Sequence, residues 1–246
     1  MRPWREVRKV LWIALAGVER AGNLGAACRA MANFGFTKLL LVEPKCSPKD
    51  ADAQMMAKHA RPLLNRCRLA SWKELRSFDL VVGTTAKLGS DYNLPRSPLL
   101  PEELAARLSE TDLKKSDVAI LFGPEGTGLS NEQLIACDIV VTIPSSKKYP
   151  TLNLSHAVAV LCYELSRTRS SKAVSRRFPL APRRQTEVAL GLVDGILPHL
   201  GLSRGYKEET QRRLWRRLLC KAMPTGREMA ALLGFFRRIK WNLDRK

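Results

Sequence analysis

The chain has 246 residues, 45% of them hydrophobic, and a formal net charge of +19; that is enough apolar material for one sizeable core and a smaller second one, which excludes a mainly disordered protein. No apolar run approaches the ~20 residues needed to span a bilayer, and the run "VLWIALAGV" (10–18) ends without a small-residue cleavage site, so a soluble, unexported, cytoplasmic protein is expected. The basic excess points to a polyanionic partner such as nucleic acid, and it is uneven, with residues 170–246 carrying +12 of the total.

In chain order, Val10–Val18 predicts a first strand and Leu24–Asn33 a helix. A strand at Lys38–Val42, a helix over Ala51–Leu64 and a weaker strand at Arg68–Ala70 follow. Next come a strand at Leu80–Thr84 and a helix over Pro101–Leu108, with Pro101 on a first turn that tolerates its missing N–H. A strand at Val118–Phe122 leads into the loop "GPEGTG", after which Ser130 and Gln133 form a capping box and announce a short helix, Asn131–Cys137. A strand at Ile139–Ile143 and a helix over Leu152–Ser166 complete the series. Short β-branched-rich runs alternating with helical patterns predict an α/β fold, a mostly parallel sheet with helices on both faces.

Beyond Ser166 the period breaks. "RTRSSKAVSRRFPLAPRRQ" (167–185) is basic, contains two prolines and predicts a linker. Three helices follow, over Thr186–Leu200, Tyr206–Met223 and Thr225–Trp241, the last opening on a Thr225/Glu228 capping box. In the second, Arg212, Arg213, Arg216 and Arg217 share one arc, while Leu214, Trp215, Leu218 and Leu219 share another, which predicts a small helical bundle with a basic outer face. The expected domains are therefore 1–168, a linker at 169–185 and a helical, nucleic-acid-binding extension at 186–246. Arg183, Arg184, Arg212, Arg213, Arg216 and Arg217 are the expected phosphate contacts. Stacking on a base is open to Tyr206 and Trp215, although the apolar arc makes Trp215 a core residue first.

The six cysteines and three histidines are dispersed, with no CxxC pair and no His at ligand spacing, so reduced thiols and no metal site are expected. Three loops stand out instead. In an open α/β sheet, ligands sit beyond the carboxyl ends of the strands, and "ERAGNLGAACRAM" (19–31), "GPEGTGLSNEQL" (123–134) and "PSSKKYPTLNLSHA" (144–157) all fall there. Each has an ordinary explanation. Asn23 could cap its helix, Thr151 or Asn153 could cap the later one, and His156, a turn into that helix, reads as a packed or surface residue. Glu125, flanked by glycines, suggests close backbone approach to another group. "GPEGTG" is neither a dinucleotide fingerprint nor a Walker loop, and no lysine and metal-binding acids accompany it, which argues against nucleotide hydrolysis.

Taken in order, "NLGAACRAM", "ILFGPEGTGLSNEQL" and "IPSSKKYPTLNLSHAVAVLCYEL" resemble the three motifs of the SpoU branch of the SPOUT superfamily, S-adenosylmethionine-dependent RNA 2′-O-methyltransferases, and most of all its tRNA-methylating members. The resemblance spans residues 10–167. It implies a C-terminal trefoil knot in the sheet domain, a homodimer with a composite active site, and no membrane or metal. The donor pocket would be lined by Gly83, Thr84, Thr85, Gly123, Gly126, Ile143, Thr151, Leu152 and Leu154. Arg29 would act on the ribose hydroxyl across the dimer interface. Asn23, Glu125, Thr151 and Asn153 would position Arg29, substrate and donor. The knot helix around Val158, Val160 and Leu161 would be partly interface, the plain alternative being that these residues are only core. Thr151 stands where the family commonly has serine; the hydroxyl is kept and a methyl added. Position 32 of the tRNA anticodon loop, cytidine or uridine as well, is the implied target. Ribosomal RNA is the nearest rival, and a non-catalytic RNA-binding protein of the same fold is the alternative from another class.

Overall fold

The computed structural model describes residues 11–86, 98–111, 113–146, 148–167, 179–200 and 206–245, excluding the side chains of 114, 206 and 207. Strands β1 (Trp12–Ala16), β2 (Lys38–Val42), β3 (Arg68–Ala70), β4 (Leu80–Thr84), β5 (Val118–Phe122) and β6 (Ile139–Val141) all pair in parallel, in the order β3-β2-β1-β5-β4-β6. Helices α1 (Ala21–Asn33), α2 (Ala51–Ala57), α3 (Arg61–Asn65), α4 (Pro101–Glu110), α5 (Asn131–Ala136) and α6 (Leu154–Arg167) connect and cover them.

Successive strand residues point to opposite faces, so Ile13, Leu15, Leu39, Leu41, Ile120 and Phe122 enter one apolar core, while Ala14, Ala16, Leu40, Val42 and Leu121 enter the other. Two buried faces explain why the strands read as unbroken apolar runs. The first core is roofed by α1 to α4 and α6; the second is covered by α5 and a 3₁₀ turn at Trp72–Ser77 that contributes Leu75. Val158 and Leu161 are fully buried in the first core. That corrects the expectation that they are partly interface and leaves only Val160 of the three half-exposed.

Several element boundaries differ from the sequence pattern. Gly17 turns left-handed at φ 56 and ends β1 before Val18, and Val10 lies outside the described residues. β6 stops at Val141 rather than Ile143. The single helix expected over Ala51–Leu64 breaks at Lys58, whose φ is 50. Pro62 sits in the first turn of α3, and its ring conflicts with a carbonyl four residues back in a continuous helix, so the chain must restart there.

Three further helices, α7 (Arg183–Ile196), α8 (Tyr206–Ala222) and α9 (Gly226–Leu243), share their own apolar core of Ala189, Val193, Leu219, Met229, Leu233 and Phe236. Trp215 packs edge-on against Phe236, 5.3 Å between ring centres, and is core. α7 begins three residues earlier than expected, inside the predicted linker. Just before it, Leu180 joins the large core and its amide donates to Ser116 Oγ, while the Ala181 amide donates to the Pro224 carbonyl.

The bundle is fixed to the sheet by a buried charge. Asp138, between α5 and β6, accepts from the Val81 amide at 2.8 Å and from Arg183 Nη1 at 2.9 Å, and both side chains are nearly enclosed, 7% and 14% exposed. Burial pushes the Asp138 carboxyl above its ordinary range, and Arg183 only partly draws it back. Cys220 of α8 donates its thiol to the same carboxylate.

Candidate active site

The loops after β1, β4, β5 and β6 all leave the carboxyl edge of the sheet, where β1 and β5, neighbours in space but not in sequence, mark the point at which strand order reverses. Between the last three of them lies a cleft of about 370 Å³, within the range of small-molecule sites. Thr84, Thr85, Gly123, Gly126, Ile143, Thr151, Leu152 and Leu154 all border it, together with Glu125. Sequence reasoning did not name Pro124, Leu129, Asn131, Leu134, Pro150 or Ala157, which also line it, although all fall inside the second and third loops or the helices they open.

Its wall is built by close backbone contact. A Cβ on Gly123 would stand 2.2 Å from the Leu129 amide nitrogen, so only glycine lets "GPEGTG" fold back on itself. Gly128 has φ 68, and its amide donates to the Pro124 carbonyl at 2.8 Å. A Cβ on Gly126, by contrast, would meet nothing within 4 Å, so that glycine faces open space in the cleft. Ser130 then caps α5, accepting from the Gln133 amide, and Gln133 answers the Ser130 amide.

The three loops are tied by side chains. Glu125 accepts from the amides of Glu19 and Arg20 and from Asn23 Nδ2, at 3.1, 3.3 and 3.0 Å. Asn23 Oδ1 accepts from Asn153 Nδ2 at 3.1 Å, and Asn153 Oδ1 accepts from the Ser155 amide and hydroxyl. Asn153 therefore caps α6 and joins the cluster with opposite ends of one amide group. Asn23 is not a cap, since Arg20 occupies the cap position of α1 without a capping side chain; the acceptor there is Glu125, from a loop about a hundred residues away. That missing local cap was the signal in the sequence. Burial pushes the half-buried Glu125 carboxyl up, but Asn23 and the backbone amides of Glu19 and Arg20 together outweigh it and hold the group below its ordinary value of 4.5.

Arg29 is not part of this cluster. It is exposed on α1, borders no part of the cleft and has no hydrogen-bond partner among the described residues. His156 is likewise exposed and outside the cleft. No cysteine borders the cleft, and burial holds the Cys28 and Cys137 thiols up at about 12. Among the described residues, no three His, Cys, Asp or Glu side chains are grouped to hold a metal, and no helix is long and apolar enough to cross a membrane.

Of the arc expected to face outward, Arg212 and Arg213 are exposed, while Arg216 and Arg217 are half-buried. Arg183 is committed to Asp138. Arg212, Arg213 and Arg216 pair with Asp194, Glu209 and Glu187 at 2.8, 2.9 and 2.8 Å. Arg213, Arg216 and Arg217 also border a small second cleft against Ile135, Asp138 and Val140, so that side of α8 faces the sheet edge, while Leu218 is 47% exposed. Arg184 is exposed.

This arrangement of loops agrees with a family match: the model described as the SpoU rRNA Methylase family covers residues 10–163. The chain belongs to that family. As a SpoU methylase it is an enzyme of methyl transfer, and its similarity to individual SpoU proteins runs past the family segment. It is 33% identical to the tRNA (cytidine-2'-O-)-methyltransferase TrmJ of Methanocaldococcus jannaschii, over 92% of this chain and 97% of that one. It is 30% identical to the tRNA (cytidine/uridine-2'-O-)-methyltransferase TrmJ of Yersinia pestis, over 93% of this chain and 90% of that one. Among solved structures, TrmJ from Z. mobilis ZM4 superposes with a TM-score of 0.70 at 28% identity, covering 94% of this chain and 99% of that one. These alignments extend into the helical extension.

Proposed function

We propose that the protein transfers a methyl group from S-adenosylmethionine to a ribose 2′-hydroxyl of tRNA, at position 32 of the anticodon loop, on cytidine or uridine. The observation that carries this reading is the hydrogen-bonded series Glu125–Asn23–Asn153, which joins three loops at the edge of the 370 Å³ cleft. The relatives' names supply the substrate, and the full-length alignments supply the reason to extend it to this chain.

The cleft fits the donor by its chemistry: open space beside Gly126, backbone groups along "GPEGTG", and apolar contacts from Ile143, Leu152 and Leu154. The bound donor supplies a sulfonium methyl, an electrophile that needs no metal. The residues of the chain then orient the acceptor. Transfer would need the ribose oxygen held in line with the sulfonium methyl, so that a carbon–oxygen bond replaces the carbon–sulfur bond and the hydroxyl proton is released to solvent. A guanidinium offers donors and positive charge but no acceptor, which suits Arg29 to orient the ribose and stabilise charge developing on its oxygen rather than to act as a base. Its exposed position outside its own cleft supports an action in the cleft of a second copy, in a cytoplasmic homodimer with composite sites. The family knot, in which α6 would pass through the loop that precedes it, belongs to the same proposal; the position of β6 beyond β4 at the sheet edge supports it.

The test is incubation with labelled S-adenosylmethionine and unmodified tRNA, followed by nucleoside mass spectrometry of mapped fragments. A 2′-O-methyl mark at position 32 is expected. Label on ribosomal RNA alone would move the target, and no label on either RNA would overturn the reading.

A further inference from the structure

Among the described residues of the extension, exposed aromatic and basic side chains share one face of α9. Arg227, Ala231, Phe235, Arg238, Trp241 and Asn242 recur at spacings of three and four, form one stripe, and are all exposed; the opposite face, with Met229, Leu233 and Phe236, is in the bundle core. Phe235 is 60% and Trp241 45% exposed. Arg245, just past the helix end, stands 3.7 Å from the centre of the Trp241 ring, and Arg238 stands 5.1 Å from it. Among the described residues, none of Arg227, Arg237, Arg238 and Arg245 has a carboxylate partner.

An exposed phenylalanine alone is ordinary. Here it shares a stripe with guanidinium groups that no acid among the described residues neutralises, two of them already placed against an indole. On α8 the reverse holds: a phosphate approaching Arg212, Arg213 or Arg216 must first displace Asp194, Glu209 or Glu187. Charge complementarity therefore favours an anionic partner on α9, and exposed rings favour one with unpaired bases. From Arg227 to Trp241 the stripe extends about 21 Å at the α-helical rise, long enough for several nucleotides.

We propose that this stripe of α9, and not the arginine arc of α8, is the RNA-docking face of the extension. Phosphates lie on Arg227, Arg238 and Arg245, and an unpaired base lies on Phe235. The proposal rests on the assignment of an RNA substrate made above.

The test compares tRNA affinity, by fluorescence anisotropy over a salt series, for three variants of the full chain. Arg227→Gln/Arg238→Gln/Arg245→Gln is expected to lose at least tenfold, with the salt slope falling by about one per lost phosphate contact. Phe235→Ala is expected to lose about fivefold or more with the slope unchanged. Arg212→Gln/Arg213→Gln is expected to stay within about twofold, since both pairs are exposed. Affinity for labelled S-adenosylmethionine is expected to stay constant in all three. Unchanged tRNA affinity in the first two variants, with donor and tRNA still bound, would overturn the docking face and leave the methyltransferase reading standing. So would a loss confined to the α8 variant, or a shift in oligomeric state without a loss of tRNA. A wild-type chain that binds donor but no RNA would overturn both.

Discussion

The loop cluster at the sheet edge and the helical extension both look polar and charged in the sequence, yet the structure uses their polar groups in opposite ways. In the cluster, Glu125, Asn23 and Asn153 bind one another and leave the cleft beside them open. In the extension, the arginines that look most available on α8 are occupied by acids, and Arg183 of α7 is an internal fastener. Composition therefore locates a basic region without locating its free charge. A carboxylate three or four residues along the helix, or on the neighbouring helix, decides whether an arginine is available.

The contrast is broken most strongly at Arg183. Replacing it by alanine leaves Asp138 buried and unpaired, which costs about 3–5 kcal/mol; a lowered midpoint in thermal or urea unfolding checks this, and an unchanged midpoint would show that the pair is solvated. Arg29→Ala is expected to do the reverse: turnover falls on the order of a hundred- to a thousandfold, while tRNA affinity and unfolding midpoint barely move because the side chain is exposed. Single-turnover methylation and binding measured on the same preparation separate those terms. Asn153→Ala removes a helix cap worth about 1 kcal/mol together with the link to Asn23, so a small loss of stability should accompany a larger loss of methylation rate. The smallest effect is with pH. Glu125 has a folded value below its ordinary 4.5, so its contribution is fully present above the ordinary value and disappears as pH falls through the depressed one. The tie between the first two loops should thus persist below pH 4.5, and Glu125→Gln should remove this part of the acid sensitivity in a pH series of unfolding midpoints.

Much of the fold was legible because two buried sheet faces write continuous apolar strands, and because Ser130 and Thr225 carry complete capping boxes that the structure reproduces. The break at Lys58 was legible too, in Pro62, but a helical period on either side masked it. At the site, the loops could be read one by one from their glycines and amides. Their mutual bonds could not, since Glu125 finds the amides of Glu19 and Arg20 only after the sheet has brought β1 beside β5. The Asp138–Arg183 pair was hidden for the same reason: its partners are 45 residues apart and no local pattern joins them. The stripe on α9 was present in the spacing from Arg227 to Trp241, but the stronger clustering of arginines on α8 drew the inference away from it.

The tight turn at Gly123 has one more consequence. Because the backbone of Gly128 and Leu129 already presses against it, the entropy of closing that loop is lost when the chain folds and not when a ligand arrives. Occupancy should then raise the melting temperature by mass action alone, following the ratio of free ligand to its dissociation constant, with little heat-capacity change of the kind that marks a segment folding on contact.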